Sequence, residues 1–448
     1  MAGHASPART RRRRWAIWAI FSAIYFWSYF HRIAPAVVAA DLMAAFRTTG
    51  AELGLLSAIY PYVFALMAFP AGALADTLGP RRTVALGAAT MGAGAVVFAL
   101  APRFAVALTG RLLVGLGASV ILIAFLRLCT EWFRPDEFST LAGLTQTVGN
   151  VGALVAAGPL AFAVERLGWR GSFVLIGVAT ALLAGVWWTV VRDRPEELGL
   201  PPVNPSRPTP PPGWAVLRGI PRVLGNPRSW PPVLAATGIY GTLLAFLGLW
   251  AVPYLSQVYR QSRLDATAYT SAIAIGVIVG SPLAGWLSDR WLRLRRLPFA
   301  AFTLVYAACW AGLALPAPGR LPLSGLLPLC FLLGLSASGV VLVFACVREV
   351  NDPVYTGVAL GFPNALAFLG LGLLQWGLGW MLDARWEGLL AGGVRIYGGD
   401  AYRAAFTVCF AIAVLAFVAT CAVTETRGRA RSPGAPPQRD PFEGGPRG

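Results

Sequence analysis

Long apolar runs, broken at intervals by short stretches rich in Arg, Pro and Gly, organise the chain from end to end. A helix needs about 20 apolar residues to cross the hydrocarbon core of a bilayer. Twelve runs meet that length or approach it: 15–38, 53–75, 83–100, 104–130, 138–164, 172–191, 231–255, 268–288, 298–316, 322–346, 357–381 and 404–424. Each is expected to be helical, because a crossing segment must satisfy its own backbone hydrogen bonds. One break is long. Residues 192–230 hold ten of the 34 prolines, including Pro208, Pro210, Pro211 and Pro212, so they cannot form one continuous helix. The pattern predicts an all-α polytopic membrane protein: a basic tail (1–14), six helices (15–191), a Pro-rich linker (192–230), six more helices (231–424) and a disordered tail (425–448). A short surface helix is expected at Trp214–Leu224.

Composition agrees with this reading and excludes others. Only 13% of the 448 residues are charged, about half the share of a soluble domain. The net charge of +17 would raise nucleic-acid binding in a soluble chain. Here every basic residue is Arg and they are spread through short loops, so no nucleic-acid partner is expected. With the N-terminus inside, 24 Arg fall in cytoplasmic segments and 10 in outer loops, and Arg32, Arg111 and Arg127 lie within spans. This bias predicts a multi-pass protein of the cytoplasmic (inner) membrane with both termini in the cytoplasm. Arg11 to Arg14 before an apolar run could begin a signal peptide, but the run is too long for one and contains His31 and Arg32. The six cysteines sit in apolar stretches without CxxC spacing and read as packing residues. With no nucleotide loop, metal cluster or nucleophile constellation, neither an enzyme nor a cofactor or metal is expected. The expected partners are the lipid bilayer and a small-molecule substrate, and the protein is expected to be monomeric.

The two sets of six spans carry a repeat. Gly143/Gly361, Gln146/Asn364, Gly152/Gly370 and Glu165/Asp383 are each 218 residues apart, pairing the fifth span with the eleventh. Gly72, Leu74 and Asp76 recur 213 residues later as Gly285, Leu287 and Asp289. Two related halves with a site between them near the midplane are the architecture of a rocking transporter.

Gly72-Ala73-Leu74-Ala75-Asp76-Thr77-Leu78-Gly79-Pro80-Arg81-Arg82 resembles the loop signature of the major facilitator superfamily, with Thr77 where that family usually has a basic residue. The resemblance implies twelve helices in two pseudo-symmetric six-helix halves. It also implies that Gly72, Asp76, Gly79, Arg81 and Arg82, with the repeat's Asp289 and Arg290, form a conformational latch. Arg111-Leu112-Leu113-Val114-Gly115-Leu116-Gly117 resembles the family's fourth-span motif, which makes Arg111, Gly115 and Gly117 structural residues. Trp132-Phe133, Glu137, Gly143, Asn150-Val151-Gly152 and Pro195-Glu196-Glu197-Leu198-Gly199 are together similar to the branch containing organophosphate:phosphate antiporters and organic-anion permeases. In that branch an Arg of the first span meets an anionic substrate, and Arg32 stands at the matching position. The second half supplies no partner Arg in the seventh span, which carries Tyr240, Trp250 and Tyr254 instead.

Arginine within a span costs about 2.5 to 3.5 kcal/mol on insertion scales and by default faces a partner or an aqueous path. Arg32 and Arg127 are therefore the leading substrate ligands, with His31, Tyr240, Asn150 and Asn364 as candidates beside them. Arg32 is expected in the outer half and Arg127 in the inner half. No carboxylate is expected deep in a span. The function expected is secondary transport of a small organic anion by alternating access; the alternatives are a proton-linked exporter of lipophilic cations or drugs, and a transport-derived membrane sensor.

Overall fold

The structure is a computed structural model describing residues 7–68, 70–133, 138–156, 158–203, 213–317, 319, 321–352 and 355–427. The first half is built from α1 (Pro7–Val37), α2 (Ala39–Phe46), α3 (Gly50–Met67), α4 (Pro70–Leu78), α5 (Pro80–Ala99), α6 (Phe104–Trp132), α7 (Phe138–Val155) and α8 (Gly158–Val190). After α9 (Gly213–Leu224) come α10 (Trp230–Ala245), α11 (Ala251–Val258), α12 (Arg263–Trp286), α13 (Arg296–Ala314), α14 (Leu323–Ala337), α15 (Leu342–Val350), α16 (Thr356–Ala384) and α17 (Gly399–Cys421). A two-residue hairpin, β1 (Leu390–Ala391) with β2 (Val394–Arg395), lies between the last two.

Among the described residues ten helices are long and apolar enough to cross a membrane. Two further crossings complete twelve. One is α1, whose apolar run is diluted by His31 and Arg32. The other arises because α8, 33 residues long, would reach about 50 Å at 1.5 Å per residue, too far for a single span. Gly168, at φ 69° and ψ 165°, breaks it, so its first part continues α7 as the fifth crossing and its remainder is the sixth. The second crossing is likewise two pieces, α3 and α4, because Pro70 removes the amide that would continue the ladder. The outer surface is apolar: Leu66 is 74% exposed, and Leu182 and Leu415 are 67% exposed. Such side chains belong against lipid.

Small residues let the helices approach. A Cβ on Gly117 of α6 would lie 2.2 Å from the Gly87 carbonyl of α5, and one on Gly334 of α14 would lie 2.0 Å from the Ile273 carbonyl of α12. Close backbone approach of this kind is how helices gain packing where the solvent is itself apolar. The repeat is visible in the same contacts: Gly152 of α7 abuts Phe26 of α1, and Gly370 of α16 abuts Thr237 of α10.

The two ends of the bundle are tied differently. On the face where α1 begins and α17 ends, two ties among the described residues each stay within one half. Asp193, after α8, accepts the Arg81 amide at 2.7 Å. Glu425, after α17, accepts the Arg295 and Arg296 amides at 2.8 and 2.9 Å. On the opposite face the ties join the halves, with Arg263 paired to Asp41 and Asp383 at the start of α3.

Candidate functional site

Arg32 lies where the two halves meet. Its Nη1 donates to the Tyr240 hydroxyl of α10 at 3.1 Å. Its guanidinium carbon stands 4.3 Å from the Tyr29 ring centroid, 5.1 Å from Phe368, 5.6 Å from Phe64 and 5.9 Å from Tyr60. The rings brace one another. Phe64 lies 4.8 Å from both Tyr60 and Phe368, Tyr240 meets Phe368 edge-on at 5.6 Å, and the Tyr60 hydroxyl is fixed by the Ser28 carbonyl at 3.2 Å. Thus α1 and α3 from one half, and α10 and α16 from the other, build one aromatic box around one cation.

That cation is not neutralised. Among the described residues no carboxylate pairs with Arg32, and its buried Nε has no hydrogen-bond partner. Cation–π contacts contribute roughly 0.5 to 2 kcal/mol each but cancel no charge. An anion entering the box meets a planar donor edge already oriented by Tyr240.

The other candidates are dispersed. His31, next in sequence to Arg32, points about 100° away around the helix. It is fully buried against Phe30 and Phe173, and its carbonyl accepts from Arg111 Nη1 at 3.0 Å. Arg111 is buried inside the first half, and Gly115 admits Val63 and Tyr60 of α3, as Gly117 admits α5. Arg127 is bound by Glu131, one turn along α6, at 3.0 Å. Glu131 is buried in the last turn of α6, so this Arg has a carboxylate partner near the end of its span. Asn150 is half-buried on α7, next to Gly149, which faces the Tyr25 and Tyr29 rings. Asn364 is exposed on α16, one turn before Phe368 and on the same side of the helix.

Of the latch residues, Arg81 and Asp289 bond within their own halves. Gly79 takes φ 83° to start α5, with Asp193 2.9 Å from where a Cβ would be. The Arg81 side chain donates to the Trp188 carbonyl and stacks on its ring at 4.2 Å. Arg82 is exposed. Asp289 bonds Arg295 rather than its neighbour Arg290, which is exposed. The side chains at Gly72 and Asp76, and those at Glu137, Gly143 and Gln146, lie outside the described residues.

Several charged groups were not singled out by sequence. Arg295 gathers Glu349 at 2.8 Å, Asp289 and Ser288. Burial opposes its charge, but the hydrogen bonds of Glu349 and Asp289 outweigh burial and hold its pKa above the ordinary value. Asp383 accepts from the Gly50 and Ala51 amides at 2.9 and 2.7 Å, from Arg395 at 3.1 Å and from the Tyr397 hydroxyl at 2.7 Å. The only prior signal for Asp383 was its place in the repeat opposite Glu165.

Known proteins share this fold. The chain is 23% identical over 463 residues to a protein of Chlamydia pneumoniae named "Probable hexose phosphate transport protein", covering 95% of each. It is 26% identical over 399 residues to the membrane sensor protein UhpC of Salmonella typhimurium, covering 84% of this chain and 86% of that one. The crystal structure of a bacterial homolog to the human lysosomal transporter Spinster superposes with a TM-score of 0.76 at 17% identity, covering 95% of this chain and 99% of that one. The profile of the Major Facilitator Superfamily matches residues 16–375, and with twelve crossings in two repeated halves the chain belongs to that family.

Proposed function

We propose that the protein is a secondary transporter carrying a small organic anion across the cytoplasmic membrane by alternating access. The observation that carries this reading is Arg32, a half-buried cation at the junction of the halves that has no carboxylate partner among the described residues. Binding energy for an anion there is available only when both halves contribute their rings, which links occupancy to the arrangement of the halves. The kinship to a hexose phosphate transport protein supports an anionic cargo. Arg127, His31, Asn150 and Asn364 are secondary candidates along the substrate's path.

The Arg bias orients the face bearing the termini toward the cytoplasm. Cross-half ties at the other face then describe a protein closed to the outside. Gly72, Asp76, Gly79, Arg81, Arg82, Asp289 and Arg290 would act as the latch when the cytoplasmic face closes in turn. Residues 15–191 and 231–424 are the moving halves, 192–230 is the cytoplasmic linker, and one chain suffices for the cycle.

The test is flux into proteoliposomes with a panel of carboxylates, sugar phosphates and lipophilic cations. Saturable uptake of anions is expected, lost in Arg32→Ala and weakened in Arg32→Lys, with both variants inserted normally. A folded Arg32→Ala protein that carries its substrate at unchanged affinity removes Arg32 from the site. Uptake of cations alone would favour the exporter, and binding without flux would favour the sensor.

A further inference from the structure

The geometry points to a charge filter at Arg32: the site takes organic monoanions of the carboxylate class and rejects dianions such as phosphate monoesters at neutral pH. The inference rests on the anion reading above and goes further, since it sets this chain apart from its hexose-phosphate relative.

The argument begins with the supply of positive charge. Three arginines lie deep in the spans, and two of them are committed elsewhere. Arg111 is buried in the first half, 5.5 Å from the Tyr60 ring centroid; it is charged, but its Nη1 is taken by the His31 carbonyl. Arg127 is paired with Glu131. The remaining described arginines lie at helix ends, at the Gly168 break or in loops, and the sequence has no Lys. One guanidinium is left to face the substrate. A monoanion on it forms a neutral pair. A dianion leaves one negative charge without a cation in direct contact, in surroundings too apolar to solvate it well.

The walls add to the discrimination. Tyr29, Tyr60, Phe64 and Phe368 crowd the guanidinium at 4.3 to 5.9 Å. Aromatic faces carry negative potential, so the surroundings that favour a cation oppose a second negative charge. The donor edge is also small. Tyr240 occupies Nη1, Nε is unpartnered, and the Tyr240 hydroxyl hydrogen is free to donate onward, because its oxygen accepts from Arg32. That set fits the two oxygens of one carboxylate.

Direct binding to the purified full-length protein tests this. The probes are gluconate, benzoate, glucose 6-phosphate and the methyl diester of glucose 6-phosphate, each at pH 7.5 and 5.5. A phosphate monoester has a second pKa of about 6, so its monoanion rises about twenty-fold in abundance between those values. The titratable groups in contact with Arg32 are the hydroxyl-bearing rings of Tyr29, Tyr60 and Tyr240. The diester, a monoanion at both pH values, reports any titration of the protein, His31 and the carboxylates included.

Gluconate, benzoate and the diester are expected to bind equally at both pH values, and glucose 6-phosphate about twenty-fold more tightly at pH 5.5. All of these comparisons use the wild-type protein, so a variant that fails to fold cannot confuse them. Equal binding of glucose 6-phosphate at both pH values, lost in Arg32→Lys, overturns the charge filter and leaves the anion reading standing. Absence of binding by every anion overturns both.

Discussion

Asp383, in the last turn of α16, accepts the amide hydrogen of Gly50 at 2.9 Å, joining the first turn of α3 to a carboxylate 333 residues away. The neighbouring Ala51 amide donates to its other oxygen at 2.7 Å. The first amides of a helix have no partner within it and carry partial positive charge; Thr49, the N-cap of α3, takes the Glu52 amide, and Asp383 takes the Gly50 and Ala51 amides from the other half. The backbones touch just beneath: a Cβ on Gly379 would lie 2.2 Å from the Gly50 carbonyl, and one on Gly54 would lie 2.4 Å from the Gln375 carbonyl.

Asp383→Asn is therefore expected to loosen this face while leaving insertion intact. Hydrogen bonds to a charged group contribute about 1.5 to 3 kcal/mol each, and the amide also brings donors toward Gly50 and Ala51. Labelling of Ala51→Cys by a membrane-impermeant thiol reagent should be at least several-fold faster in the Asp383→Asn background. An unchanged rate would mean that packing alone holds the face closed.

Gly117 offers a test of the packing itself. With the Gly87 carbonyl 2.2 Å from its would-be Cβ, Gly117→Leu must push α5 and α6 apart, and overpacking of this kind costs about 1 to 3 kcal/mol or more. Gly377 on α16 has nothing within 4 Å, so Gly377→Leu should be tolerated. Melting temperatures of the two purified variants should separate clearly; equal values would contradict the close approach.

The helices were legible because span length and apolar content are properties of single segments. The Pro-rich break, the short helix at Gly213–Leu224 and the loop around Gly168 could be read the same way. Segment ends were less legible: α1 begins at Pro7, carrying Arg11 to Arg14 as helical turns, and Pro70 divides the second crossing. Contacts between distant segments needed the fold. Arg32 and Tyr240 could each be noticed as a residue type, but their meeting across 208 residues could not. Asp383 was harder still, because two of its partners are backbone amides with no side-chain signature. The Arg127–Glu131 pair was available from i,i+4 spacing.

Glu349 is buried and holds Arg295 through contacts at 2.8 to 3.2 Å. Glu349→Gln would leave a buried guanidinium with Asp289 alone as its carboxylate partner among the described residues. Removing one member of a buried pair costs about 3 to 5 kcal/mol, so this variant should show reduced expression and a clear loss of thermal stability. The sign of its pH dependence follows from Arg295. A cation whose folded pKa is raised contributes stability that is present below its unfolded value and lost only as pH rises through the folded one. Both values lie above the ordinary working range, so Arg295 itself should add no slope to stability between about pH 6 and 9. A steep loss of wild-type stability in that range, abolished in Arg295→Gln, would contradict the raised value.

Tyr240→Phe separates the substrate site from the closed face. The variant keeps the ring against Phe368 and deletes only the hydroxyl that receives Arg32 Nη1. Two roles of that hydroxyl disappear together: it orients the guanidinium, and it offers its own hydrogen to the ligand. One net hydrogen bond is worth about 0.5 to 1.5 kcal/mol, so substrate affinity should fall by roughly 2- to 12-fold in the conversion at 1.4 kcal/mol per decade. Because Asp383 and its α3 amides are untouched, Ala51→Cys labelling without substrate should proceed at the wild-type rate. Asp383→Asn should give the converse result, with fast labelling and an intact Arg32 box. If Tyr240→Phe instead speeds labelling as much as Asp383→Asn does, the Arg32–Tyr240 bond is itself a principal tie between the halves, and a substrate that draws Nη1 away from Tyr240 would open the closed face directly.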